Sequence, residues 1–332
     1  MSNRLTDISI SNRIYWLDFG KVLAAFLVVF GHLYSGDHTI TKYLYAFHVP
    51  FFFIVSGIFH KNEGKVLWKD HVKKILFPAI LFFAIYAVFY VLEHSVFIGK
   101  ADQLFNEAII YTKYFILSIW RSTILVPAWF LIALFWCKMI TDIVLMCKVK
   151  IFILANILIL LGLIVPYVLG FRIPLFFSQG LMAYPFYIVG VKAKEFLKQR
   201  QASWWYLAAV PICFACTFFL TRLNGKVSMN GVYFGSLPPG VNMIVFYLNA
   251  FIGSAMLLAF SLLPFPTLKS VRLLATSLLT IIGIQSIYID LFIMATGGLN
   301  QPVWLSLIAT VVILWLCFFT HLLIKPIYFN KK

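Results

Sequence analysis

The sequence predicts an all-α polytopic membrane protein, with about ten transmembrane helices around a central cavity and both termini cytoplasmic. Three observations predict it. Of 332 residues, 62% are hydrophobic and only 11% charged, against about 25% charged in an ordinary soluble domain. The mean hydropathy of +0.95 leaves too little polar surface to clothe a water-facing fold. Apolar runs of about 20 residues, the length that crosses a bilayer, recur along the whole chain. No sizeable extramembrane domain fits beside them, so residues 1–332 read as a single integral-membrane domain. Its N-terminal tail is 1–13, its spans fill 15–324, and its C-terminal tail is 325–332.

The first thirteen residues are polar and carry Arg4, Asp7 and Arg13. The apolar run that follows lacks a small-residue cleavage site, which argues against a removable signal peptide. Spans are expected at 15–35, 43–59, 75–98, 127–146, 151–169, 179–191, 203–221, 241–263, 273–296 and 303–324, from windows of about 19 residues. The sixth is short and contains Pro185, so it reads as kinked or only partly inserted. Two long connections, 99–126 and 222–240, hold the turn formers of the outer side, including Asn224-Gly225 and Pro238-Pro239-Gly240. They are placed to cap a cavity from outside. No convincing internal repeat is present, which weighs against an inverted-repeat transporter.

The net charge of +16 comes from 27 Lys and Arg against 11 Asp and Glu. Eighteen of the basic residues fall in one set of alternate segments and seven in the other. That asymmetry puts both termini in the cytoplasm by the positive-inside rule. It also assigns the charge to membrane lipids and orientation rather than to nucleic acid, which would need a folded basic surface outside the bilayer. A homo-oligomer is compatible with the composition. The five cysteines, including the Cys213 and Cys216 pair, lie in or beside apolar runs without a histidine cluster. They read as packing residues, and no metal is expected.

Ionisable groups inside a bilayer are costly and mark cavities or partners. The first span holds Asp18, Lys21 and His32. Asp18 and Lys21 are three apart and share a helix face; Lys21 and His32 are eleven apart, within about 20° of one direction and about 16 Å along the axis. All three therefore face one side, Lys21 toward the cytoplasmic leaflet and His32 toward the outer half. On the residues alone two readings stand: a functional cavity, or an Asp18–Lys21 pair that neutralises itself while Lys21 snorkels to the interface. In the second span His48 precedes a proline-marked apolar run, and Ser56-Gly57 offers a small surface for helix approach. The stretch with Lys61, Lys65, Lys69, His71, Lys73 and Lys74 is either a positive-inside anchor or a cationic collar for a phosphate-bearing ligand.

The run Leu17-Asp18-Phe19-Gly20-Lys21 through Val28-Val29-Phe30-Gly31-His32 resembles the signature of the membrane acyltransferase family 3. That family includes bacterial O-acetyltransferases of surface glycans and fucose 4-O-acetylase-like proteins. The resemblance continues through Phe47-His48-Val49-Pro50-Phe51-Phe52, Ser56-Gly57, Lys73-Lys74-Ile75-Leu76-Phe77-Pro78 and Pro127-Ala128-Trp129-Phe130-Leu131, and more weakly through Phe186-Tyr187-Ile188-Val189-Gly190. It is specific over about the first 80 residues; after about residue 195 hydropathy alone carries it. Two positions depart from the family. Lys21 stands where many members have Arg and lacks the bidentate fork, and the late run Gly283 to Asp290 offers Gln285 and Asp290 where related proteins often have a histidine.

The resemblance implies a membrane O-acyltransferase that moves an acetyl group from cytoplasmic acetyl-CoA to a hydroxyl of a cell-surface or lipid-linked glycan, in the bacterial cytoplasmic (inner) membrane. It implies His32 as general base or transient acetyl acceptor, Lys21 holding the donor or polarising the site, and Asp18 orienting Lys21. His48, Ser56, Trp129, Gln285 and Asp290 are expected around the acceptor or donor, and Lys73 and Lys74 on the coenzyme A phosphates. The rival expectation is an exporter or flippase for a polysaccharide or lipid-linked sugar, which intramembrane charges and aromatics would also serve.

Overall fold

The computed structural model describes residues 14–34, 38–93, 104–122, 127–147, 149–298 and 301–329. The tail expected at 1–13 and the last three residues of the C-terminal tail lie outside the described residues. Within them the chain is helical apart from turns and one isolated antiparallel bridge, Ser228 to Tyr233. Among the described residues, six helical stretches are long and apolar enough to cross a membrane: Tyr15–Leu33, Trp68–Leu92, Tyr206–Asn224, Val241–Ser261, Leu278–Thr296 and Val303–Pro326, with a shorter apolar helix at Asn156–Leu169.

Helix α1 (Tyr15–Leu33) is central. It packs on α2 (His38–Tyr45), α3 (His48–Ile58), α11 (Val241–Ser261), α12 (Lys269–Thr276), α13 (Leu278–Thr296) and α14 (Val303–Phe329). Around this group lie α5 (Phe77–Leu92), α6 (Leu104–Trp120), α7 (Trp129–Leu145), α8 (Val149–Leu169), α9 (Phe177–Lys198) and α10 (Tyr206–Asn224). Exposed apolar side chains such as Ile153, Leu154 and Val168 on α8, Ile212 and Phe219 on α10, and Leu323 on α14 form an oily exterior that water would not tolerate and lipid does.

Lipid supplies no hydrophobic drive between helices, so close packing and interhelical hydrogen bonds hold them. The tightest seam is α3 against α9, where a Cβ on Gly57 would meet the Tyr187 carbonyl and one on Gly190 the Ile54 carbonyl. Between α13 and α14, Thr280 Oγ1 lies 2.9 Å from His321 Nδ1.

Several expected elements differ. The span expected at 43–59 is two short helices, α2 and α3, because Pro50 has no N–H to give the Ala46 carbonyl and the helix restarts at His48 with the proline in its first turn. The third span starts earlier, with α4 (Trp68–His71) running through a π turn at Val72–Leu76 into α5. Pro78 cannot bond the Lys74 carbonyl, and Phe77 N–H reaches back five residues to Val72. Finally, the connection expected at 99–126 contains helix α6.

Candidate active site

A cavity of about 540 Å³ opens near the C-terminal half of α1. Its walls come from α1 (Val28, His32), the α2–α3 junction (Tyr45, His48), α5 (Tyr90), the start of α7 (Pro127, Trp129), α13 (Gln285, Ser286, Asp290) and the segment from Lys226 to Asn230. That last segment follows the Asn224-Gly225 turn, where Gly225 takes φ +72°, a conformation that side-chain-bearing residues rarely adopt. Asn224 Nδ2 donates to the Phe234 carbonyl at 2.7 Å, Gln179 Nε2 to the Asn230 carbonyl at 2.8 Å, and Arg172 to the Gly231 carbonyl at 2.9 Å. The 222–240 connection is thereby tied down as one wall of the cavity.

Two histidines face this space, each fixed through Nδ1. His32 Nδ1 lies 3.0 Å from the Tyr45 hydroxyl. His48 Nδ1 bonds the Leu44 carbonyl; a carbonyl only accepts, so Nδ1 carries the proton and Nε2 keeps a lone pair. The Tyr45 ring sits between them, with centroids 5.6 Å from His32 and 5.2 Å from His48. Across the cavity Gln285 is 2% exposed, and its Oε1 has no hydrogen-bond partner among the described residues. A buried carbonyl oxygen left unpaired costs about 1–3 kcal/mol, a debt that a ligand donor in the cavity would cancel.

The expected site residues separate into two groups. His32, His48, Trp129, Gln285 and Asp290 line the one cavity. Lys21 lies about 16 Å and Asp18 about 21 Å down the helix from His32, both outside the cavity lining. They pair at 3.4 Å, and the Lys21 ammonium sits 4.2 Å from the centre of the Phe59 ring. Ser56 lies beside Gly57 on α3, away from the lining. Lys73 and Lys74 project from the π turn and are exposed; Lys74 bonds Asp70 at 2.8 Å.

Sequence reasoning passed over Tyr45, Tyr90 and Ser286 in the cavity, together with a buried cluster at the lysine-rich end. There Asp142 on α7 accepts from Leu67 N–H at 2.8 Å and lies 2.9 Å from His71 Nε2. His60 Nε2 is 3.3 Å from the other carboxylate oxygen, near enough for charge attraction but not aligned as a hydrogen bond. His60 Nδ1 meets the Tyr187 hydroxyl at 3.0 Å, and Lys194 donates to the His60 carbonyl at 3.1 Å. Burial, reinforced by the Lys138 charge and opposed by Asp142, holds the His60 pKa down at about 4. The available signal was Asp142 itself, a carboxylate inside an apolar span.

Comparison with curated proteins and with solved structures finds no match. The acyltransferase-domain family model matches residues 14–322, which takes in the cavity, the Asp18–Lys21 pair and the basic loop, and the chain belongs to that family of membrane acyltransferases.

Proposed function

We propose that the protein transfers an acetyl group from acetyl-CoA to a hydroxyl of a cell-surface or lipid-linked glycan, with His32 as the general base. The observation that carries this reading is the His32–Tyr45 pair at the wall of a cavity whose other faces are aromatic and amide- or hydroxyl-bearing, the mixture that suits a sugar's apolar ring faces and hydroxyl edges.

His32 serves as base in one tautomer. With Nδ1–H donating to the Tyr45 oxygen, Nε2 holds the lone pair that accepts the acceptor's hydroxyl proton. The freed oxygen attacks the thioester carbonyl carbon, the C–S bond breaks, and the coenzyme A thiolate leaves with the proton returned from His32. Tyr45 keeps its hydrogen bond to Nδ1–H throughout and steadies the transient imidazolium. His48 Nε2 and Gln285 Oε1 are acceptors for other sugar hydroxyls, with Trp129 and Tyr90 against the ring. The lysine-rich end faces the cytoplasm by the positive-inside rule, so the donor enters there. Lys73 and Lys74 take its phosphates, and Lys21, oriented by Asp18, lies on the way to His32.

The test is acyl transfer in sealed vesicles with labelled acetyl-CoA inside and glycan acceptor present. Label should pass to the glycan with wild-type protein and not with His32→Ala at equal protein level. Retained transfer in the variant would remove His32 from the mechanism, and glycan movement without any acylation would favour the exporter.

A further inference from the structure

The lysine-rich end raises a problem that the cavity does not. Lys61, Lys65, Lys69, Lys73 and Lys74 are all exposed on fourteen consecutive residues with Glu63 and Asp70 to offset them in part, and the remaining like charges repel. Something must hold the segment in one arrangement before an anionic ligand arrives. Asp142 is 4% exposed, and a buried carboxylate is costly unless its oxygens are occupied. Beside the charge of Lys138 on its own helix, its close partners come from this segment: His60 at the end of α3, Leu67 at the entry to α4, and His71 at the end of α4. The carboxylate therefore closes the loop at both ends. The π turn that carries Lys73 and Lys74 begins at the residue after His71, so the clasp fixes the platform from which both lysines project. On the other side, Tyr187 and Lys194 of α9 lock His60.

We infer that Asp142 is a positioning residue for the acyl donor, clasping the 60–71 segment so that Lys73 and Lys74 present a ready-made site to the donor's phosphates. This rests on the reading of those lysines as the donor collar. Asp142 touches no reacting atom; it removes the ordering cost that binding would otherwise meet.

The experiment is equilibrium binding of labelled acetyl-CoA to the full-length protein in nanodiscs, with transfer kinetics alongside. Asp142→Asn, which keeps the shape and loses the charge, should weaken binding about tenfold, roughly 1.4 kcal/mol, with kcat at saturating donor within about twofold. His71→Ala should weaken it about threefold, and His71→Gln, which retains an N–H donor, should restore it. The double variant Lys73→Ala, Lys74→Ala should weaken binding at least as much as Asp142→Asn. If the lysine variant binds weakly while folded Asp142→Asn and His71→Ala bind as wild type, the positioning role is wrong and the collar stands. Wild-type affinity in the lysine variant rejects the collar, and the inference falls with it. Should Asp142→Asn fail to fold, His71→Ala and its glutamine rescue decide the matter.

Discussion

The two ends of the bundle treat buried polar groups in opposite ways. At the lysine-rich end, Asp142 receives Leu67 N–H, His71 and the nearby His60, and His60 in turn meets Tyr187; the protein supplies the partners itself. At the cavity, Gln285 Oε1 stays unpaired among the described residues while Gln285 is 2% exposed, and His48 is fixed through Nδ1 alone. A cluster whose carboxylate is met by the protein's own donors rigidifies its surroundings, even with His60 Nε2 left short of an aligned hydrogen bond, whereas an unpaired group on a cavity wall leaves a place for a ligand's donor. The proposed chemistry draws on the cavity and the proposed support on the clasp.

The sharpest way to break that division is His32→Ala, expected to cut kcat by about 10²–10⁴-fold while acetyl-CoA affinity stays at the wild-type value. A parallel loss of donor affinity would merge the two ends into one site. Tyr45→Phe removes the acceptor for His32 Nδ1–H and should lower kcat about tenfold, read from initial rates at saturating donor and acceptor. Gln285→Leu fills the same space without the amide. It should raise the KM for the glycan roughly tenfold and leave the KM for acetyl-CoA alone; a change confined to the donor would reverse the assignment of that wall.

The clasp has a pH signature of its own. His60 meets Asp142 of α7 and Tyr187 and Lys194 of α9, it feels the charges of Lys138 on α7 and His71 on α4, and its pKa of about 4 lies below the ordinary 6.5. Between those values the unfolded chain binds a proton that the folded chain refuses. Stability therefore rises with pH through that window and falls on acidification from 6.5 toward 4. Thermal unfolding in nanodiscs should show this slope, and His60→Gln should reduce it by the share that His60 contributes. The smallest effect belongs to Lys74→Ala, which breaks an exposed pair with Asp70 worth less than about 1 kcal/mol; its melting temperature should barely move.

Much of the fold was legible because a bilayer forces every spanning backbone to satisfy itself, so apolar length alone marks α1, α10, α11, α13 and α14. The breaks were harder to read. Pro50 and Pro78 each remove one N–H, but whether the chain splits, as between α2 and α3, or widens into a π turn, as at Val72–Leu76, depends on what packs around it. Helix α9 runs to Lys198, past the expected end at 191, because Lys, Glu and Leu are good helix formers beyond the apolar run. In the site, helical periodicity put Lys21 and His32 on one face, yet it carried no information about depth, and the cavity reaches only His32. Tyr45 and Asp142 gained meaning only through residues 13 and 71 positions away, a relation that one sequence does not display.

The most direct test of the central claim is mass spectrometry of surface glycans from matched cells expressing the wild type or His32→Ala at equal membrane protein level. Glycans heavier by an acetyl group are expected with the wild type alone. Equal acetylation with both proteins, or none with either while donor binding is intact, would contradict it.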